Sequence, residues 1–264
     1  MSRPNQKLRT VKAMRYVTPL REGGSLPAII EGDDDGLYVL KFRGAGQGVK
    51  ALIAELVAGE IGRALDLRVP EIVFVELDAR LARTEPDPEI QDLIKASGGL
   101  NLALDYLPGS ITFDPLIEKP LKSLASKIVW FDAFTVNVDR TARNANMLWW
   151  HKHLWLIDHG AALFYHHNAD TFPSNSRNPF RQVKDHMLLR FAGEIEKADI
   201  ESSAKLTPET LREIVNLIPG EWLGGADEAE KTREIYYDFL TNRLRGEPRE
   251  FVKEAINARR NLTV

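Results

Sequence analysis

The sequence predicts an α+β fold in two lobes, a strand-rich lobe over residues 1–105 and a mostly helical lobe over 106–264. Three observations carry this reading. Short β-type runs bounded by Gly, Asp and Pro crowd the first hundred residues, where one long stretch alone repeats apolar residues at helical spacing. Apolar repeats three and four residues apart dominate the remainder. Between the two, "DYLPGS" (105–110) is polar, carries Pro and Gly, and marks the change.

The strand-rich lobe reads as follows. Residues 28–31 (AIIE) and 37–42 (LYVLKF) are short strands, and "GDDDG" between them is hairpin chemistry, because Asp and Gly accept the backbone angles of tight turns. The glycine-rich "RGAGQG" (43–48) follows. Ile53, Val57, Ile61 and Leu65 then recur at helical spacing, with Leu56 and Ala64 beside them, and Pro70 closes the unit. Residues 72–75 (IVFV) and 100–104 (LNLAL) are further strands. In the second lobe, helices are expected over 120–136, 181–197, 207–217, 227–244 and 249–260. Thr207-Pro208-Glu209 is a strong helix start, with Thr as N-cap, Pro in the first turn and an early carboxylate. The exception is 147–157, where MLWW and LWLI flank His151-Lys152-His153 as a β-hairpin.

Composition narrows the function. The 264 residues are 44% hydrophobic, enough for a sizeable core in two lobes. Charged residues make up 28% and the net charge is −3, which suggests neither disorder nor bulk attraction for nucleic acid. With no cysteine there is no disulfide, thiol nucleophile or cysteine metal site. The basic N-terminal stretch lacks the apolar core of a signal peptide, and no run approaches the roughly 20 apolar residues that span a bilayer. A soluble, cytoplasmic protein with no membrane partner and no direct nucleic-acid binding is expected.

Polar residues interrupt the apolar stretch 131–157, and buried polar groups are costly unless something binds them. Asp139 and Asn144 form D-x-x-x-x-N, the spacing of the protein-kinase catalytic loop, in which the Asp meets the substrate hydroxyl and the Asn holds a metal ion. The hairpin then delivers Asp158 ahead of Gly160 in D-x-G form. A carboxylate, an amide oxygen, ATP phosphates and water together suit Mg²⁺. Lys41 ends a strand, as the kinase phosphate-pairing lysine does. Its partner on the next helix is Glu55 or Glu60. Glu55 is favoured, since it shares a face with Ala58, Gly59 and Gly62, where small side chains permit close approach.

The segments "NVDRTARNANML…LIDHGAAL", "YVLKF" and "AELVAGEIGRALDLRVPE" together resemble the HipA-like kinases, relatives of the phosphatidylinositol 3-/4-kinase-like group within the protein-kinase-like fold. The resemblance runs from about Tyr38 to Leu163 and is strongest over 137–160. It implies ATP bound between two lobes, with Leu104, Asp105, Tyr106 and Leu107 of "LDYLPG" holding adenine. Asn144 and Asp158 would hold Mg²⁺, and phosphate would pass to a hydroxyl acceptor, with a protein Ser/Thr the first choice. The chain departs from the family at Thr141, where His is usual. Arg140 and Arg143 are candidates for the missing positive charge. It is also shorter than the toxin members and is expected to lack their N-terminal subdomain and serine-bearing loop, so no antitoxin partner is implied.

Rival readings are a nucleotide-binding pseudokinase, to which Thr141 lends weight, and transfer to a small molecule or lipid. Gly44-Ala45-Gly46-Gln47-Gly48 offers backbone N–H groups to phosphate or is a plain connector, and Gly23-Gly24-Ser25 is the more natural lid by position. The six histidines, all between His151 and His186, lack the cysteine or grouped carboxylates of a zinc site. Trp149, Trp150 and Trp155 read as core, and 175–179 as a surface loop more than an activation-like loop.

Overall fold

In the computed structural model, which describes residues 8–20 and 26–262, the alternating runs of the N-terminal part close into a five-stranded barrel. β1 (Thr10–Pro19) turns Val11 and Ala13 inward and pairs antiparallel with β2 (Ala28–Gly32), which pairs in turn with β3 (Leu37–Lys41). The "GDDDG" turn joins β2 to β3, with Gly32 N–H donating to Gly36 O (2.9 Å) and Asp35 in the left-handed region (φ 61°). Asp tolerates that conformation better than most residues. β4 (Ile72–Leu77) and β5 (Gly99–Asp105) complete the order β1-β2-β3-β5-β4, β4 meeting β1 in parallel. Ile30, Leu40, Val73, Val75 and Ala103 fill the interior.

The expected repeat at 53–65 forms α1 (Val49–Ala64), which is buried almost all round because it lies between the barrel and the helical part. Small residues make that fit possible: a Cβ added at Gly59 would stand 2.4 Å from Ile72 Cδ1. α2 (Pro88–Ala96) adds to the elements expected from the sequence; Asp87 caps it by accepting from Glu89 N–H (3.0 Å) with Pro88 in the first turn. That is the pattern recognised at Thr207-Pro208-Glu209.

The helical part comprises α3 (Lys122–Thr135), α4 (Ile195–Lys205), α5 (Pro208–Asn216), α6 (Ala226–Leu244) and α7 (Glu250–Asn261). Thr207 Oγ1 caps α5 by accepting from Thr210 N–H (3.2 Å). β6 (Ile111–Thr112), β7 (Met147–Trp150) and β8 (His153–Leu156) form a small sheet. His151 and Lys152 at its hairpin tip both have positive φ (47° and 63°), as a two-residue turn with the right twist requires. Among the described residues no helix is long and apolar enough to cross a membrane.

The helix expected over 181–197 is instead two 3₁₀ turns, Arg181–Asp185 and Leu189–Phe191, ahead of α4. Tertiary contacts override local propensity there. His186 is drawn to Asp132 through Nε2 (2.9 Å), its Nδ1 accepts from Leu188 N–H (3.0 Å), and Met187 N–H donates to Arg140 O (3.2 Å).

Asp132 lies in the last turn of the apolar helix α3 and is fully buried, as is its partner Arg140, whose Nε donates to Asp132 Oδ2 at 2.6 Å. Asn137 Nδ2 donates to the other oxygen (2.9 Å). Burial pulls the Asp132 pKa up, but the Arg140 charge and the hydrogen bonds from His186 and Arg140 outweigh it and bring it down to about 2. A carboxyl titrating below its unfolded value of about 3.9 adds stability above that pH and loses it as pH falls towards the folded value. We therefore expect the urea midpoint to drop between about pH 4 and pH 2, this group accounting for on the order of 2 kcal/mol. Asp132→Asn should flatten that dependence. At neutral pH the substitution strands a buried guanidinium and should cost about 3–5 kcal/mol, measured by equilibrium denaturation.

Candidate active site

Lys41 is the last residue of β3, opposite Leu102 on β5, so its side chain shares the outward face that Leu102 and Leu104 turn towards α1. Its ammonium is nearly buried, and an ammonium there needs compensating charge. Two carboxylates supply it. Asp158 Oδ1, 117 residues away in sequence, lies 2.7 Å from Nζ, and Glu55 Oε2 of α1 lies 3.6 Å away. Burial alone would lower the lysine pKa, but the charges of Glu55 and Asp158 outweigh it, so the group stays an ammonium. Glu55 is buried too. Burial pulls its pKa up, yet Lys41 and the hydrogen bonds from His159 bring it to about 2. Its Oε1 receives the His159 backbone N–H and faces His159 Nδ1, each at 3.0 Å. His159 thus orients Glu55. Glu60 faces Arg63 instead (3.2 Å).

Asp158 sits in the left-handed region (φ 54°), as do Val136, Asn146 and Leu163 around the same loops. Non-glycine residues there persist where their surroundings over-determine them, often at functional sites. Asp139 follows Val136, the left-handed C-cap of α3. Its backbone N–H donates to Asn137 Oδ1 (3.2 Å), and its Oδ2 accepts from Asn144 Nδ2 (2.6 Å) and Asn146 Nδ2 (3.1 Å). Asn146 Nδ2 also reaches Asp158 O at 3.5 Å, so the loop and the hairpin exit adjoin. Lys41, Glu55, Asp158, Asn146, Asp139 and Asn144 form one connected chain of contacts.

The donor set fits a hard divalent cation held mainly by its substrate. Asp158 spends Oδ1 on Lys41 and Asn144 spends its amide N–H on Asp139, which leaves a second carboxylate oxygen and an amide oxygen for a cation. Mg²⁺ takes one or two protein oxygens and fills its octahedron from phosphates and water. Among the described residues no three His, Cys, Asp or Glu side chains gather as a cage. The three buried histidines are spent elsewhere, His159 on Glu55, His166 on Tyr236 (Nδ1 to OH, 3.0 Å) and His186 on Asp132.

Several expectations are corrected. Arg140 brings no charge to the cleft, being buried beneath the loop on Asp132, and Arg143 is exposed. The 43–48 loop does not present open amides throughout: Arg43 N–H donates to Asn101 Oδ1, Gly44 N–H to Ser97 Oγ, Ala45 N–H to Phe42 O and Gly48 N–H to Ala45 O. At the 104–107 segment, Asp105 N–H is taken by Glu71 O (2.8 Å) and Tyr106 N–H by Leu37 O (3.0 Å), while Leu104 and Leu107 are buried. Only carbonyls, side chains and the Leu107 amide of that segment are left for a base. Segment 175–179 is pinned: the buried Arg243 donates to Ser176 O (2.9 Å) and Asn178 O (3.3 Å). Gly23-Gly24-Ser25 lies outside the described residues. Sequence reasoning missed Asp132, Asn146 and His186. A lone carboxylate inside "VWFDAF" is the signal that could have found Asp132.

Comparison with known proteins gives a consistent picture. Among solved structures the chain is similar to the Helicobacter pylori proinflammatory kinase CtkA, with a TM-score of 0.57 and 12% identity over 97% of this chain and 99% of that one. It is also similar to the Golgi casein kinase with Mn/ADP bound, with a TM-score of 0.52 and 12% identity over 90% of this chain and 74% of that one. At such identities the likeness speaks for the fold. No curated protein matches the chain. A family model described as HipA-like kinase matches residues 14–254, nearly the whole chain, and the protein therefore belongs to the HipA-like kinase family.

Proposed function

We propose that this kinase uses ATP and Mg²⁺ and passes the γ-phosphoryl group to a hydroxyl, with a protein Ser or Thr as acceptor, in a bilobal cleft between the barrel and the helical part. The observation that carries the reading is the 2.7 Å approach of Lys41 Nζ to Asp158 Oδ1 with Glu55 behind it, a meeting of barrel, helix and hairpin that a solvated surface lysine has no reason to make. Asn144 and Asp158 would hold the metal, which supplies neutralisation of the phosphate charge when bound.

The chain's own residues do the rest. Lys41 meets the phosphate oxygens with its ammonium, and Glu55, fixed by His159, keeps that ammonium from collapsing wholly onto Asp158. Leu104 and Leu107 offer an apolar edge to the base. Asp139 receives the acceptor hydroxyl, orients it and takes its proton. Catalysis rests on positioning and electrostatics, as phosphoryl transfer demands. Thr141 does not weaken the reading, because its place in the loop is held by backbone bonds that any non-proline residue supplies: its N–H to Asp139 O (2.9 Å), and its O from Asn144 N–H (3.1 Å). A protein acceptor is favoured by the solved relatives, one of which is named a casein kinase.

Incubation with γ-phosphate-labelled ATP and cell extract should label protein, and Asp139→Ala should slow transfer by about 10²–10⁴-fold, the range for a positioned acid–base group. Label confined to small molecules would redirect the acceptor assignment, and equal rates for both forms would remove Asp139 from it. Lys41→Met should lower kcat/KM for ATP by about 10²-fold or more, and chelation should stop turnover until Mg²⁺ is restored. Turnover indifferent to chelation would exclude the metal.

A further inference from the structure

The phosphotransferase reading assigns no part to Asn146, yet its side chain joins the Asp139 loop to the Asp158 backbone. It is buried and left-handed (φ 47°). Its backbone O accepts from Ile157 N–H (3.0 Å) and from Arg140 Nη1, so it is anchored both to the segment between β8 and Asp158 and to the Asp132 ion pair. Its side chain faces Asp139 Oδ2 at 3.1 Å and Asp158 O at 3.5 Å. Both are acceptors, a carboxylate and a carbonyl, and the amide turns its NH₂ towards them.

Asp139 Oδ2 therefore has two donors of different standing. Asn144 is exposed and carries the amide oxygen offered to the metal. Asn146 is buried, and both ends of it are fixed. We propose, resting on the reading above, that Asn146 is a positioning residue for acceptor activation: it holds Asp139 by Oδ2 and presents Oδ1 to the incoming hydroxyl while Asn144 turns to the metal. An asparagine suits the position twice over. It tolerates the left-handed backbone, and its amide reaches back to the loop.

The test compares wild type, Asn146→Gly and Asn146→Asp in labelled-ATP transfer, with melting temperatures. Glycine accepts φ 47° and keeps the carbonyl that Arg140 and Ile157 bind, so the fold should persist with a melting temperature close to wild type. Its kcat should fall by roughly 10–100-fold, the scale of a misplaced catalytic group, with KM for ATP nearly unchanged. Asn146→Asp is isosteric and tolerates the same backbone, but sets an oxygen against Asp139 Oδ2. It should be slower still. In an Asp139→Ala background Asn146→Gly should cause no further loss, because its effect runs through that carboxylate. A role in folding alone predicts the opposite order, with the isosteric variant the more active. Wild-type kcat in Asn146→Gly, a rise in KM for ATP alone, or an equal loss in the Asp139→Ala background would each overturn the proposal. An inactive wild type would sink the phosphotransferase reading and this inference with it, whereas an active wild type with an indifferent Asn146→Gly sinks the inference only.

Discussion

An ammonium on the face of a barrel strand that packs towards α1 cannot stay there uncompensated, and that constraint organises this protein. Lys41 is accommodated because α1 brings Glu55 and the β8 exit brings Asp158 to the same point. Neither carboxylate arrives alone. Glu55 is fixed by both the backbone and the ring of His159, the residue next to Asp158, so the two acids are linked to one another as well as to the lysine. The attraction between such charges in a poorly hydrated site offsets the desolvation of each, and loss of any one leaves the others exposed to that penalty.

Beneath this cluster lies a second one with a different task. Asp132, Arg140, Asn137 and His186 are all buried, and together they fix the start of the Asp139 loop, its far end at Asn146 and the turn after residue 185. Arg243 does the same for segment 175–179, donating to Phe134 O and Ala133 O at the end of α3 and to Ser176 O and Asn178 O. Burial lowers its pKa to about 9. The carbonyls at a helix C-terminus, where the dipole favours cations, are a fitting place for it. Irregular backbone around the site is thus held by buried guanidinium groups instead of regular ladders.

Much of this was legible before any coordinates. Spacing placed Asp139, Asn144, Asp158 and Lys41 in one pattern, and small residues at Ala58, Gly59 and Gly62 pointed to Glu55 over Glu60. These signals are local or depend on element types, which period and turn chemistry report well. What escaped was set by contacts between distant residues. Arg140 reads as available charge until Asp132 is seen under it, and 181–197 reads as a helix until His186 is seen to be drawn away. Asn146 looks like turn filler because its partners, Asp139 and the carbonyl of Asp158, meet only after folding. β1 escaped because register shifts after Ala13 and Tyr16 break its alternation, and α2 because it is short.

The packing of α1 has a practical side. The helix precedes "DYLPGS" in the chain, but Leu52, Leu56 and Ile61 lie in the same apolar cluster as Phe131 of α3 and Leu156 of β8, while the barrel interior forms a cluster of its own. Severing the polypeptide at 105–106 would strip that helix face bare and leave a matching hollow on the other piece. Two such fragments would be sticky apart and complementary together, so a split-protein reporter built at this joint would draw its reassembly drive from the surface that normally unites the kinase.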